Sequence, residues 1–353
     1  FGDTGREVEF YASQQDILSR TTRADFDPLT GHALCLGLNI GQASAKLGQK
    51  DIVPAQLAGC SSAYLSQWDA NSPILVTESG SLGDPGTRGT DWIYTVSDSS
   101  AQRLAAFPGG LEGALASRQY WMGQPRPMFT RMPVISQVTG LNNSTLLPPY
   151  FPVFRSEDYL FGAMVEYLHP QSAVLEYAWS VPHFPMDQRK GETDPEPTDA
   201  RRRINPAKYV TDRTEYEPGI NCDTRLQKLA SLTRELAETS DRGLTSLFRR
   251  EMAQRQAFEL SRLAAYLNNG NIRPPAWQQW LEQSVNLISS SMASPPRITE
   301  LNDMPVDCDT DELLQQFRAL AGGFASSLGA WDAIRQTARE SGNRLLASGT
   351  LVL

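Results

Sequence analysis

Long apolar runs are missing from this sequence of 353 residues, and no window approaches the roughly 18 consecutive apolar residues of a membrane span. Basic residues are also outnumbered by acidic ones: the sequence has 32 Lys and Arg but 40 Asp and Glu, which gives a formal net charge of −8. Nucleic acids and anionic membranes select basic surfaces. The composition therefore predicts a chain that spans no membrane and binds no nucleic acid.

Cysteine is scarce as well: Cys35, Cys60, Cys222 and Cys308 lie far apart, with no CxxC spacing. This argues against a disulfide framework and against a zinc knuckle, and it favours reduced thiols in the cytoplasm. The chain opens at Phe1 with neither an initiator Met nor a signal-peptide layout, which favours a start inside a longer product.

Several widespread catalytic motifs are also missing. The sequence has no GxxxxGK[ST], no GxSxG, no HExxH and no dinucleotide fingerprint after a strand. Kinase-like, esterase, zinc-protease and dehydrogenase activities therefore lose their usual support.

The spacing of the apolar residues changes along the chain. Over residues 1–190 the apolar runs are short and bounded by Gly, Pro, Asp and Ser, which predicts strands at 73–76, 92–96 and 132–135. A helix is expected from residue 157 to 168, because its apolar residues recur on one face. This part of the chain is therefore predicted to be mixed α/β.

The rest of the chain has a different pattern. Residues 191–221 are charged and rich in Pro, which predicts a linker or an exposed loop. From 222 to 353 Leu and aromatic residues recur at helical spacing, with one stretch ending at Asn268, another beginning at Pro274-Pro275 and a third beginning near Asp309. The predicted fold class is thus an α/β region followed by a mainly helical domain.

The most informative stretch for chemistry is Arg155-Ser156-Glu157-Asp158. Two adjacent carboxylates stand at a predicted helix start, in apolar surroundings, with an Arg two residues before them. Burial and charge can drive the pKa values of such a pair apart, and one carboxylate can then act as a base. The spacing leaves open the alternative that one of the two acids merely caps the helix.

Residues 140–162, with this acidic pair at a helix start, resemble the inverting, family-two-like glycosyltransferases of the GT-A fold. The resemblance implies that Asp158 is the general base and that Glu157 supports the acceptor site. It implies that Arg155 holds the carboxylates or a phosphate. A nucleotide-sugar donor, an unknown acceptor and a divalent metal, Mn²⁺ or Mg²⁺, are implied with it.

A looser resemblance extends over residues 75–190. Residues 77–86, which include Asp84, are similar to the loop before the acceptor region, and residues 181–185 are similar to a segment whose His completes a metal site. We therefore expect Asp84, Asn142 and Asn143 to bind substrate and His183 to bind metal. The alternative for His183 is a surface or packing residue.

The sequence departs from the family at the donor side. In the family a DxD that holds the metal and the diphosphate precedes the acceptor loop, whereas this chain is expected to begin after that half. Asp25-Phe26-Asp27 is an early DxD, but it lacks an apolar strand in front of it, which favours a loop or a helix cap.

Two other functions compete with sugar transfer. One is a non-catalytic binding or scaffold subunit that keeps the acceptor half and contacts a protein partner through its helical domain. The other is a glycoside hydrolase that pairs Glu157 with a carboxylate such as Asp84, which requires a separation of about 5 to 9.5 Å.

Overall fold

The computed structural model describes the following residues: 6–49, 57, 65–84, 92–93, 96–134, 137–152, 157–186, 206–214, 217–268, 274–293 and 309–349. Its strands are β1 Glu7–Phe10, β2 Ile74–Gly83, β3 Tyr120–Gly123, β4 Met128–Thr130, β5 Thr139–Leu141 and β6 Ala173–His183. Its helices are α1 Gln14–Arg20, α2 Pro28–Ala33, α3 Ile40–Lys46, α4 Asp98–Ala105, α5 Gly110–Ser117, α6 Glu157–Leu168, α7 Pro206–Thr211, α8 Cys222–Glu238, α9 Asp241–Asn268, α10 Pro275–Ala293, α11 Thr310–Gly329 and α12 Trp331–Ala347.

The six strands form one sheet in the order β1-β3-β2-β6-β4, and β5 also pairs with β2. Strands β2 and β6 run parallel, while the other pairs are antiparallel. All ten residues of β2 are buried, as expected of a strand at the centre of a covered sheet. The mixed α/β class predicted for this part of the chain is confirmed.

The predicted strand at 73–76 is only the beginning of β2, which continues through the polar residues Thr77 to Ser81. The other two predicted segments are not strands in the described residues, although Val96 forms an isolated parallel bridge with Val8. Trp92 and Ile93 lie in a 3₁₀ turn, and residues 132–134 have no regular structure. Their apolar side chains are explained by packing instead: Ile93 is fully buried and the Trp92 ring stacks on Tyr120, with the centroids 4.5 Å apart.

The C-terminal part is mainly helical, as the change of apolar spacing predicts. Asn221 caps α8 and Asp309 caps α11, each accepting a hydrogen bond from a backbone N–H of the first turn. The predicted third stretch is divided into two helices at Ala330, whose backbone (φ −102°, ψ 2°) leaves the helical range. Among the helices of the described ranges, none combines the length and hydropathy needed to cross a membrane.

The helical part packs directly on the α/β part through two groups of buried side chains. Trp277 and Leu281 of α10 lie in one core cluster with Phe10 and Leu104. A second cluster joins α6 to α7, α8 and α11. Part of the segment predicted as a linker, residues 206–211, is helix α7, while residues 191–205 lie outside the described residues.

Candidate functional site

Helix α6 begins at Glu157, and both acids of the predicted pair lie in its first turn. Negative charge is favourable there, because the unpaired N–H groups give a helix N-terminus a partial positive charge. Asp158 Oδ1 accepts a hydrogen bond from the Tyr159 N–H at 2.8 Å. Glu157 and Asp158 are both partly buried. Arg155, the third member of the predicted site, lies outside the described residues.

Close packing holds α6 against the chain at residues 132–134. A Cβ on Gly162 would lie 2.1 Å from the carbonyl oxygen of Pro133 and 2.8 Å from Cγ of Met132. Only glycine allows the helix to approach this closely. The same segment aims the backbone N–H of Val134 into the sheet, where it donates to Glu78 Oε1 at 2.8 Å.

Two carboxylates that the sequence analysis missed lie in the sheet beneath α6. Glu78 on β2 and Glu176 on β6 are partners in the parallel register, so they point to the same face. Their exposed fractions are 1% and 0%. Arg6 lies between them, with its Nε 2.7 Å from Glu176 Oε1 and its Nη2 3.5 Å from Glu78 Oε2. Gln124 Nε2 also donates to Glu176 Oε2, at 3.1 Å.

Burial is the main cause that raises the pKa of Glu78, to about 8. The charges of Glu176 and Asp158 raise it further, whereas Arg6 and the Val134 N–H act in the opposite direction. Asp158 at the start of α6 thus interacts electrostatically with Glu78 of the buried pair in the sheet. We call Arg6, Glu78, Glu176 and Asp158 the carboxylate cluster.

The solvent side of the carboxylate cluster is marked by Tyr150, which is 42% exposed. Its ring stacks on Phe161 of α6, with the centroids 4.1 Å apart and the planes 5° apart. Burial raises the pKa of Tyr150 to about 12, and the charges of Glu78, Asp158 and Glu157 add to that effect. A partly exposed aromatic ring, stacked on α6, therefore lies near the acidic pair.

Asp84 and His183 lie together, at the carboxyl ends of β2 and β6. The Asp84 N–H donates to the His183 carbonyl at 3.1 Å, and His183 Nδ1 contacts the Asp84 carbonyl. The Asp84 carboxylate is buried and ion-paired with Arg118, at 2.9 Å from Nη2. Six residues of strand place Asp84 about 20 Å from Glu78, so this pair is separate from the carboxylate cluster.

The described residues do not supply a metal site. None of their His, Cys, Asp and Glu side chains gather in threes that could hold an ion. His183 Nδ1 contacts the Asp84 carbonyl, as the second ring nitrogen of a metal-binding histidine commonly does, so its metal role stays a prediction. Asp27 of the early DxD caps α2, accepting from the N–H and the hydroxyl of Thr30.

Asn142 and Asn143 form a turn that is held by the last helix. The side-chain oxygen of Asn142 accepts from the N–H and hydroxyl of Ser144, and Arg335 of α12 donates to the carbonyls of Asn143 and Thr145. Helix α12 thereby fixes the loop that leads to Tyr150.

Comparisons with family models, with curated proteins and with solved structures give no significant match to this chain. The resemblance to GT-A glycosyltransferases therefore stays a prediction.

Proposed function

We propose that this chain is the acceptor side of an inverting, GT-A-like glycosyltransferase, with Asp158 as its general base. The observation that carries the proposal is the placement of Asp158: a partly buried carboxylate in the first turn of α6, beside the buried Glu78 and the partly exposed ring of Tyr150. A general base needs such a position, shielded from bulk water yet open to one substrate hydroxyl.

The proposed reaction is a single displacement. The acceptor hydroxyl attacks the anomeric carbon of the donor sugar, its proton passes to Asp158, and the bond to the nucleoside diphosphate breaks with its electron pair leaving on the diphosphate. Glu157 supports the acceptor, and Arg155 steadies the carboxylates or a phosphate. The side chains of Asp84 and Asn142 are used in an internal ion pair and a turn, whereas Asn143 is exposed and keeps its proposed contact with the substrate.

The donor in this proposal is a nucleotide-sugar. A divalent metal, Mn²⁺ or Mg²⁺, would be held with the help of His183, whose Nδ1 contacts the Asp84 carbonyl and whose Nε2 is the nitrogen that would bind it. A cytoplasmic location fits the free thiols of Cys35 and Cys222.

The test is a direct search for donor binding and turnover by the whole chain. UDP-glucose, UDP-galactose, UDP-N-acetylglucosamine and GDP-mannose are each supplied with Mn²⁺ or Mg²⁺, together with a panel of oligosaccharide acceptors. We expect saturable binding of at least one donor and release of its nucleoside diphosphate. Absence of binding by every donor, with metal present, would contradict the proposal.

A scaffold subunit is the second candidate. Two observations on donor binding favour it. Asp27 of the early DxD serves as a helix cap, and the described residues provide no metal cluster. Ile334, Leu345 and Leu346 of α12 are 43–44% exposed and could face a protein partner. In that case replacing Asp158 would affect only stability, by the about 0.5–2 kcal/mol of a weakened helix start.

A further inference from the structure

We infer that Glu78 is a positioning residue: a neutral carboxylic acid, hydrogen-bonded by the Val134 N–H and lying beside Arg6, that keeps a competing negative charge away from Asp158. The inference deepens the proposed function and rests on it for the role of Asp158. The protonation of Glu78 itself rests only on the buried side chains around it.

Charge balance favours one retained proton in the buried pair of Glu78 and Glu176. Glu78 and Glu176 are register partners with 1% and 0% exposure, and the described residues place one guanidinium, that of Arg6, against both. Two ionised carboxylates against one cation would leave a net negative charge in a site that excludes water, which is costly. Retaining one proton removes that charge.

The geometry also decides which carboxylate retains the proton. Arg6 Nε lies 2.7 Å from Glu176, whereas its Nη2 lies 3.5 Å from Glu78. Glu176 accepts a further hydrogen bond from Gln124. The proton is thus assigned to Glu78, whose pKa burial raises to about 8.

Glu78 is faced by charged and titratable groups from several elements. Arg6 comes from the residue before β1, Glu176 from β6, Asp158 from α6 and Tyr150 from the loop before α6. Ionisation of Glu78 would add a second negative charge beside Asp158, and the two carboxylates would repel each other. Neutral Glu78 exerts no such repulsion, so the Asp158 carboxylate stays in place for the acceptor hydroxyl.

The first test measures the proton directly, by infrared spectroscopy of the full chain at neutral pH. We expect the carbonyl band of a neutral carboxylic acid that is lost in Glu78→Gln and that disappears from the wild type as the pH rises through about 8. The matched control is Glu7→Gln, which removes an exposed carboxyl of β1 and should keep the band. If wild type and Glu78→Gln give the same band intensity, Glu78 is ionised and the inference fails.

A second variant, Glu176→Gln, tests the protonation of Glu78 even if Glu78→Gln does not fold. Of the two carboxylates beside Arg6, only that of Glu78 remains in Glu176→Gln. The charge of Arg6 then acts on Glu78 alone, so Glu78 should ionise more readily and its infrared band should weaken at neutral pH. An undiminished band would contradict the shared-proton account.

The role of Glu78 in positioning is tested by the pH profile of transfer, with whichever donor of the panel is turned over. The wild-type rate should fall as the pH rises through about 8, while Glu78→Gln, which stays neutral, should keep a level rate there. Coincident profiles would show that Glu78 does not act through Asp158. A further outcome is that the infrared band changes as expected but no donor is turned over. The proposed function and the positioning role would then be contradicted, and the protonation of Glu78 would be supported.

Discussion

Glu78 and Glu176 are register partners in the parallel pair β2–β6, and both carboxylates are buried against the single guanidinium of Arg6. Burying such a group costs free energy unless charge and hydrogen bonds compensate it, so this arrangement has consequences for stability as well as for chemistry. The ion pair of Asp84 with Arg118 lies at the far end of the same two strands and is independent of it.

Replacing the proposed base should separate catalysis from stability. In Asp158→Asn we expect turnover to fall by about 10² to 10⁴, because general base catalysis is lost, while donor affinity stays near the wild-type value. Steady-state kinetics and donor titration measure the two quantities. Asp223→Asn is the matched control, because Asp223 is also an acid in the first turn of a helix, α8, and should keep wild-type turnover. A folded Asp158→Asn protein with the wild-type rate would refute the assigned role.

The buried Glu78 should make stability depend on pH. Its pKa in the folded protein, about 8, lies above its ordinary value of 4.5, so the folded state holds a proton that the unfolded state releases. The stabilisation is therefore fully present below the ordinary pKa and is lost as the pH rises through about 8, with a slope of up to about 1.4 kcal/mol per pH unit.

Urea unfolding between pH 5 and 8.5 measures this dependence. The difference in unfolding free energy between Glu78→Gln and the wild type should move in favour of the variant as the pH rises, because glutamine has no proton to lose. Glu7→Gln should keep the wild-type dependence. Parallel stability curves for the wild type and Glu78→Gln would contradict the prediction.

We expect the ion pair of Asp84 with Arg118 to stabilise the fold and not to bind substrate. Arg118→Met leaves the buried Asp84 carboxylate without its ion-pair partner and should cost about 3–5 kcal/mol of unfolding free energy. Adding Asp84→Leu to Arg118→Met should recover part of that loss. For comparison, Asp212→Asn in the more exposed pair with Lys208 should cost about 0.2–1 kcal/mol. A small effect of Arg118→Met on stability, with a large effect on substrate binding, would instead favour a substrate role.

Two helical glycines should respond to alanine with opposite signs. Gly162→Ala drives a methyl group against the Pro133 carbonyl and should destabilise the protein by about 1–3 kcal/mol. Gly323→Ala meets nothing within 4 Å and should stabilise the protein by about 0.5–1 kcal/mol, because alanine loses less conformational entropy in a helix. Thermal unfolding of the two variants decides the comparison, and equal shifts would contradict the close approach of α6.

Parts of the fold and of the site follow from local pattern. The acids Glu157 and Asp158, followed by apolar residues at helical spacing, predict the helix start that the structure has, and Pro274-Pro275 predicts the start of α10. The same local reasoning failed at Trp92-Ile93, because an apolar run bounded by turns is compatible with a buried turn as well as with a strand.

The sequence by itself determined the fold class, the helical C-terminal part and the acidic pair at the start of α6, because each depends on residues a few positions apart. The tertiary structure alone decided which distant charges meet: Arg6 with Glu78 and Glu176, and Asp84 with Arg118. The sequence does not indicate that Glu78 and Glu176 are buried. A glutamate that interrupts an apolar strand is equally compatible with an exposed position. Their burial comes from strand pairing and from the cover of α6, and it is this burial that changes their chemistry.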